Sequence, residues 1–247
     1  MKKIVKKILN KMGYTIIPVN AQPVAKPVVK NPLTMEGILA RCKERNIQFE
    51  TIVDVGASNG LWARTCIKEY PQSYYLLIEA QNVHLDGLNQ FKNECAKSDY
   101  VLAAAGSREG EIYFDMTDPF GGLASDTPSG EKCEVVKVTT IDLEVSRRKL
   151  KGPFLVKLDT HGFEVPILEG AMETLKQSNG VIIEVYNYHL TKDSLLFYEM
   201  CAYMDKLGFR PLDMGDVLLR LHDNSLWQMD VLFVPKTRHE FEFNGYK

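Results

Sequence analysis

Residues 51–63 read TIVDVGASNGLWA, and this stretch decides the fold class. A short apolar segment, typical of a buried strand, carries the acid Asp54 near its end and is followed by Gly56, Ser58 and Gly60 before a helical pattern begins. Gly56 permits a sharp turn, and Gly60 lets the next helix start close to a ligand. The stretch therefore predicts a strand, a ligand-binding loop and a helix, in that order.

Apolar runs alternate with helical stretches on both sides of this loop. Such alternation predicts an α/β fold with a mostly parallel, doubly wound sheet covered by helices on both faces. We place strands near 51–55, 74–79, 99–104, 153–159 and 180–185, and helices near 35–45, 61–69, 82–95, 164–177 and 193–207. A pair of segments at 110–115 and 134–139 predicts an inserted hairpin with a long, lid-like connection. A second pair, at 216–221 and 228–234, predicts an antiparallel edge of the sheet.

Four regions follow from composition along the chain. Residues 2–12, KKIVKKILNKM, carry apolar residues at helical spacing among five lysines, which predicts a short basic amphipathic helix within 1–17. This helix either packs on its own domain or docks onto an anionic membrane surface or a partner. Four prolines predict an extended linker over 18–32, and we expect one domain at 33–236 and a polar tail at 237–247.

Composition excludes several classes of protein. The net charge of -2 and the pI near 6.2 provide no basic field for collecting phosphates, so bulk nucleic acid is a disfavoured partner. Five widely spaced cysteines without a CxxC pair fit neither a disulfide framework nor a zinc site, and they favour a reducing compartment. We expect a cytoplasmic protein, with the inner membrane surface as the alternative location.

The glycine loop and a distal acid predict a nucleotide-type ligand. A dinucleotide site normally shows G-x-G-x-x-G, and the glycines here stand at a different spacing. Glu79 ends the apolar run YYLLIE, 19 residues after Gly60, where a carboxylate accepts hydrogen bonds from ribose hydroxyls. Ala104 and Ala105 fit a slot for adenine, although core packing explains these small residues equally well.

A second polar group follows the predicted strand that begins FLVKL at residue 154. Asp159 ends this strand, and His161 and Glu164 follow on the turn into the next helix. The crevice beyond the carboxyl ends of parallel strands is where such sheets bind ligands. Lys157 lies on the same strand face as Asp159, and we expect its ammonium to pair with Glu164.

The next strand ends VIIEVYNYH, which places Glu184 at the lip of the same crevice and Asn187 just beyond it. Asp159 and Glu184 would then lie on adjacent strand ends. They could hold a substrate's hydroxyl groups or bind a divalent cation, and we favour hydrogen bonding to substrate. Ser125, in the predicted lid, joins Glu184 and Asn187 as a candidate acceptor contact.

The motifs DVGASNG, IEA, VLAAAG, TTIDL, VKLDTHGFEVPILEGA and IIEVY occur in this order between about residues 50 and 190. The series resembles the FkbM-type methyltransferases, most specifically in K-x-D-x-x-G-x-E-x-x-x-L-x-G-A from Lys157 to Ala171. The resemblance implies a Rossmann-like methyltransferase fold and S-adenosylmethionine as the methyl donor. It also implies O-methylation of a sugar, glycan or small natural-product hydroxyl, often in polysaccharide biosynthesis.

The resemblance also implies roles for single residues. Ser58 stands where the family usually has asparagine, and serine has a shorter reach. Asp159, Gly162 and Glu164 correspond to the signature, whereas His161 stands at a position that varies in the family. With His161 added as a candidate base, the catalytic set is Asp159, His161 and Glu164. The cofactor-binding set comprises the loop and two strand ends: Asp54, Gly56, Ala57, Ser58, Asn59, Gly60, Glu79, Ala80, Ala104 and Ala105.

The mechanism stays open between two forms of hydroxyl activation. His161 is the best candidate base, because histidine most often serves as one, and Asp159 orients the imidazole or takes the proton itself. A divalent cation at Asp159 and Glu184 would make His161 secondary, and we do not expect one. The alternatives are a non-catalytic S-adenosylmethionine-binding module, a methyltransferase acting on RNA or protein, and a nicotinamide-dependent oxidoreductase.

Overall fold

The computed structural model describes residues 32–246. The helix predicted within 1–17, and all of the predicted linker except its last residue, lie outside the described residues. None of the helices between residues 32 and 246 combines the length and the apolar character needed to cross a membrane.

The main sheet has seven strands. They are β1 Thr51–Val55, β2 Tyr74–Glu79, β3 Ser98–Leu102, β8 Phe154–Leu158, β9 Ser178–Tyr186, β10 Phe209–Leu219 and β11 Leu226–Pro235. A smaller sheet is formed by β4 Ala104–Ala105, β5 Gly110–Asp115, β6 Leu123–Ser125 and β7 Cys133–Thr139. The α-helices are α1 Met35–Glu44, α2 Leu61–Cys66, α3 Leu85–Glu94, α4 Ile141–Arg147, α5 Glu164–Glu169, α6 Met172–Leu175 and α7 Phe197–Lys206, with 3-10 turns at Asn82–His84 and His239–Phe241.

The main sheet has the order β10-β11-β9-β8-β1-β2-β3. Five neighbouring strands, β9, β8, β1, β2 and β3, pair in parallel. In contrast, β11 pairs antiparallel with both β9 and β10. This arrangement confirms the predicted α/β class, a mostly parallel sheet with an antiparallel edge. It also brings the carboxyl ends of β1, β2, β8 and β9 to one edge of the sheet.

Two apolar layers hold helices on the two faces of the sheet. On one face, residues such as Val53, Val156 and Ile183 pack with side chains of α4, α5 and α7. On the other, Ile52 and Leu155 pack with side chains of α1, α2 and α3. Side chains alternate between the two faces of a strand, and helices cover both faces of this sheet. The central strands are therefore buried from both sides, which explains why β1 and β8 are apolar along most of their length.

The predicted hairpin insertion is confirmed by the antiparallel pairing of β5 with β7. Its connection contains β6, which pairs with the other edge of β5 and was not predicted as a strand. Residues 116–122, between β5 and β6, are called the strap below.

The helix predicted at 164–177 is wrong as one element, because it is divided into α5 and α6. Gly170, between them, lies so close to the chain that an added Cβ would be 2.0 Å from the Gly106 carbonyl oxygen. This close approach of two backbones fixes the break. The strand predicted at 216–221 begins instead at Phe209 and pairs with β11 through register shifts near Pro211 and Gly215.

Part of the predicted polar tail packs against the domain. Phe241 lies against the apolar layer that includes Ile52, and the Arg210 guanidinium lies 4.4 Å from the centre of the Phe241 ring.

Candidate active site

A cavity of about 390 Å³ lies beyond the carboxyl ends of the parallel strands, between the main sheet and the strap. Its wall includes residues from the glycine loop, from the ends of β2, β8 and β9, from the smaller sheet and from the strap. Among the wall residues are Gly56, Ser58, Glu79, Ala80, Gln81, Ala104, Ala105, Phe114, Pro119, Phe120, Asp159, His161, Glu184 and Gln228.

The glycine loop is shaped by close contact with β8. Gly56 has a φ of +72°, and an added Cβ there would lie 2.0 Å from the Asp159 carbonyl oxygen. Gly60 has a φ of +78° and precedes α2 as its N-cap. Both positions need glycine for conformation, and Gly56 also needs it for space.

Glu79 ties the glycine loop to the end of β2. One carboxylate oxygen accepts a hydrogen bond from the Ser58 amide at 2.7 Å, and the other accepts one from the Gln81 amide at 2.7 Å. Its side chain is nearly buried, yet it forms part of the cavity wall. A carboxylate has four acceptor positions, so the held carboxylate can still accept from a ligand hydroxyl.

Six of the predicted cofactor-binding residues form part of the cavity wall: Gly56, Ser58, Glu79, Ala80, Ala104 and Ala105. The remaining four do not. Asp54 and Ala57 are buried behind the loop, Asn59 accepts the Leu61 amide at the start of α2, and Gly60 faces Arg64, Phe91 and Leu77.

Asp54 is completely buried, and neither of its carboxylate oxygens has a hydrogen-bond partner. The Lys157 ammonium lies 3.9 Å from it. Burial raises the pKa of Asp54 to about 7, and the lysine only partly offsets this.

Lys157 pairs with Asp159, so the predicted pair with Glu164 is wrong. The Lys157 ammonium donates to Asp159 at 2.6 Å. Burial acts to raise the pKa of Asp159, but the ammonium outweighs it and holds that pKa below its usual range. Lys157 reaches Asp159 and not Glu164 because residues two apart on a strand point to the same face, whereas Glu164 lies beyond the turn that follows the strand.

Glu164 holds the turn after β8. Its carboxylate accepts the Gly162 amide at 2.8 Å and the Thr160 hydroxyl at 3.3 Å. It is buried and does not form part of the cavity wall, and burial raises its pKa. Of the three predicted catalytic residues, the structure therefore brings Asp159 and His161 to the cavity and places Glu164 behind them.

His161 completes a cluster with two carboxylates at the cavity wall. Its Nε2 lies 3.7 Å from Asp159 Oδ1 and 3.7 Å from Glu184 Oε2. His161 has a φ of +52°, a conformation that is uncommon for residues other than glycine. We call Asp159, His161 and Glu184 the cavity triad.

Glu184 is held by two neighbours. It accepts hydrogen bonds from the Tyr186 hydroxyl and from the Gln228 side-chain amide. Burial, with the charge of Asp159 adding to it, raises the pKa of Glu184 to about 8. Gln228 was not predicted as a site residue; it reaches Glu184 because β11 pairs with β9, and no local pattern indicates this contact.

The other predicted acceptor residues lie outside the cavity wall. The Asn187 amide donates to the Trp227 carbonyl, and the Ser125 hydroxyl accepts the Thr127 amide. Ala124, next to Ser125, does contribute to the wall.

The strap is tied to the segment that follows β2 by two side chains that sequence reasoning did not predict as site residues. Gln81 Nε2 donates to the Asp118 and Pro119 carbonyl oxygens at 3.2 and 3.0 Å. His84 Nε2 lies 2.8 Å from the Pro119 carbonyl oxygen, and its ring is 5.4 Å from that of Phe120. Their position directly after Glu79 is the one signal that could have indicated a site role.

The family model for the methyltransferase FkbM domain matches residues 54–211, which contain the glycine loop, the strap and the cavity triad. The chain belongs to the FkbM methyltransferase family. Among proteins with curated functions, none matches this FkbM-family sequence significantly.

A solved structure from the same family has a similar fold. The FkbM methyltransferase from Methylobacillus flagellatus KT has a TM-score of 0.50 and 19% identity, over 74% of this chain and 43% of that protein. This FkbM-family chain therefore spans less than half the length of that relative. The fibrillarin pre-rRNA processing protein of Methanococcus jannaschii has a TM-score of 0.48 and 12% identity over 76% of this chain and 67% of that one. A SAM-dependent methyltransferase from Agrobacterium tumefaciens has a TM-score of 0.46 and 9% identity, with 81% and 61% covered.

Proposed function

We propose that this FkbM-family protein transfers the methyl group of S-adenosylmethionine to a hydroxyl of a sugar, glycan or small natural product. The observation that carries the proposal is the continuity of one cavity. The glycine loop and Glu79 stand in the same wall as the cavity triad. A donor held by the loop can therefore reach an acceptor held by Asp159, His161 and Glu184.

The donor end matches the parts of a nucleoside. Glu79 supplies acceptor positions for ribose hydroxyls, and the Ser58 amide that it holds borders the same wall. Ala104, Ala105 and Phe114 all line the cavity, and two small side chains near an aromatic ring suit a planar base. The glycine loop lets the backbone approach the amino acid part of the donor.

The acceptor end has the groups that a hydroxyl nucleophile requires. The sulfonium methyl is already electrophilic, so alignment of the acceptor oxygen and exclusion of water contribute most of the rate. The cavity triad provides two carboxylates and an imidazole to hold and activate that hydroxyl. Pro119, Phe120 and Gly122 of the strap form part of the cavity wall, and we expect the strap to limit the access of water.

The first experiment titrates the full-length protein with S-adenosylmethionine and S-adenosylhomocysteine in a calorimeter. We expect both to bind, Glu79→Ala to weaken binding about 10- to 100-fold through lost charge-assisted hydrogen bonds, and Asp159→Ala to change it little. Glu131→Gln, which alters an exposed carboxylate in the lid, is the matched control. No heat with either ligand would contradict the proposal.

The second experiment identifies the class of acceptor. Radiolabelled S-adenosylmethionine is incubated with pools of glycans, small hydroxylated metabolites, RNA and protein, and the label in each pool is counted. We expect label in a glycan or small-molecule pool, and we expect Asp159→Ala to abolish it. Label in RNA or protein alone would support the alternative acceptor, and donor binding without transfer to any pool would support a non-catalytic binding module.

A further inference from the structure

The cavity triad combines donors of two kinds. Asp159 and Glu184 each offer a carboxylate oxygen and His161 offers an imidazole nitrogen at the cavity wall, and these three atoms lie within 4.8 Å of one another. They come from the ends of β8 and β9 and from the turn between β8 and α5. Two oxygens and one imidazole nitrogen form a mixed set of the kind that first-row divalent ions accept.

The distances from His161 to the two carboxylates fit ligands of a common ion better than direct hydrogen bonds. His161 Nε2 is 3.7 Å from each carboxylate oxygen, which is too long for a direct hydrogen bond. Two ligands at about 2.1 Å from one ion, at a tetrahedral angle, stand roughly 3.4 Å apart. A shift of a few tenths of an ångström therefore brings His161 Nε2 and either carboxylate oxygen to bonding distance of a single ion.

The surrounding charge also favours a cation. Asp54, Asp159, Glu184 and Asp230 lie on one face of the sheet, because their strands pair in register there. Within residues 32–246, Lys157 is the one lysine or arginine within ion-pair distance of any of these four carboxylates. The Lys157 ammonium occupies Asp159 Oδ2, which leaves Oδ1 directed toward His161.

The supporting contacts hold the ligands in place. Tyr186 and Gln228 bind the Glu184 carboxylate, and Lys157 binds that of Asp159. Such outer contacts are what orients metal ligands in proteins. The left-handed backbone of His161 costs on the order of 1 kcal/mol, and it directs the imidazole toward the two carboxylates.

We propose that Asp159, His161 and Glu184 bind a divalent transition-metal ion of the Mn²⁺ type, whose open positions face the cavity and take the acceptor hydroxyl. The role of the ion rests on the proposed function, whereas the site rests on the triad itself. The ion lowers the pKa of the bound hydroxyl. The hydroxyl proton passes to solvent, a C–O bond forms to the methyl group, and the C–S bond breaks with its electron pair moving to sulfur.

The test measures metal binding without donor or acceptor. The full-length protein is freed of metal with a chelator and titrated with Mn²⁺, and the free ion is followed by its electron paramagnetic resonance signal. We expect a site that Glu184→Gln and His161→Ala each weaken at least about tenfold. Glu131→Gln and His222→Ala, which alter exposed residues outside the cavity, are the matched controls and should leave binding unchanged.

A second measurement detects the histidine ligand directly in the wild-type protein. Pulsed resonance of the Mn²⁺-loaded wild type should show coupling to an imidazole nitrogen, and His161→Ala, with its melting temperature checked, should remove it. No Mn²⁺ binding by the wild type, or equal binding by all variants, would overturn the metal site. S-Adenosylmethionine binding measured on the same samples separates the proposals, because donor binding without Mn²⁺ binding contradicts the metal site alone, and the reverse contradicts the donor site alone.

Discussion

Gly56 is the residue at which the loop and the sheet meet most closely. Its φ of +72° is strained for alanine, and an added Cβ would lie 2.0 Å from the Asp159 carbonyl oxygen. Gly208 also has a positive φ, of +90°, but an added Cβ there would meet nothing within 4 Å. A comparison of alanine variants at these two positions therefore separates the cost of conformational strain from the cost of steric overlap.

We predict that Gly56→Ala lowers the free energy of unfolding by at least about 3 kcal/mol and abolishes donor binding. Gly208→Ala should cost about 1 kcal/mol, because only the backbone conformation is strained. Urea unfolding measures both. Equal losses for the two variants would show that the overlap at Gly56 is relieved without cost.

At the scale of elements, the strap and the turn after β2 act together. The Gln81 side chain donates to two strap carbonyls, and the Gln81 backbone amide donates to the Glu79 carboxylate. We predict that Gln81→Ala accelerates release of S-adenosylmethionine by about tenfold, because roughly 1–2 kcal/mol of hydrogen bonding to the strap is lost.

Stopped-flow displacement of bound S-adenosylmethionine measures the release rate. Gln90→Ala is the matched control, since the Gln90 side chain donates to Glu94 on the surface of α3. Equal release rates for the two variants would mean that the strap does not retain the donor.

A second pair of elements, α1 and β10, is tied through Asp213. The Asp213 carboxylate accepts from Arg41 at 2.6 and 2.8 Å and from Arg45 at 2.8 Å. We predict that Asp213→Asn lowers the free energy of unfolding at pH 7 by about 1–3 kcal/mol. Asp223→Asn, which alters an exposed pair with Arg220, should change it little.

The pH dependence of this tie has a definite sign. Burial acts to raise the pKa of Asp213, but the two arginines outweigh it and lower that pKa. The stabilisation is therefore present above the unfolded pKa, near about 4, and is lost as pH falls through the folded value. Denaturant unfolding should show the wild type and Asp213→Asn converging below about pH 4, and a constant difference would contradict the ion-pair interpretation.

At the scale of the whole molecule, burial of Asp54 makes stability depend on pH in the opposite sense. Because its pKa is raised to about 7, the folded protein holds a proton that the unfolded chain releases near pH 4. The free energy of unfolding should fall as pH rises between these values, by up to about 1.4 kcal/mol per pH unit from this group. Above about pH 7 its contribution becomes constant.

We predict that Asp54→Asn reduces this slope between pH 5 and 7, since the amide keeps the shape and cannot ionise. Urea unfolding at a series of pH values, with a chelator present, measures the slope. Asp193→Asn, at an exposed position, is the control and should retain the wild-type slope. An unchanged slope for Asp54→Asn would show that this carboxyl stays ionised when buried.

Local patterns were enough to predict the central part of the fold. The strand, glycine loop and helix at residues 51–66, the alternation that builds a parallel sheet and the antiparallel edge all follow from periodicity and from glycine conformation. Glu79 and Asp159 were predicted at the crevice because both stand at the ends of strands. These features depend on residues that are close together in the chain.

The contacts that complete the site were decided only by tertiary structure. Gln228 binds Glu184 because β11 lies beside β9, and Gln81 binds a strap 37 and 38 residues away. The division between α5 and α6 likewise depends on the approach of Gly106 to Gly170. The sequence by itself determined the order of the elements and the strand ends at which polar groups collect. Packing determined which of those groups touch. Such hydrogen bonds and close contacts form between segments that are distant in the chain, and no local periodicity encodes their proximity.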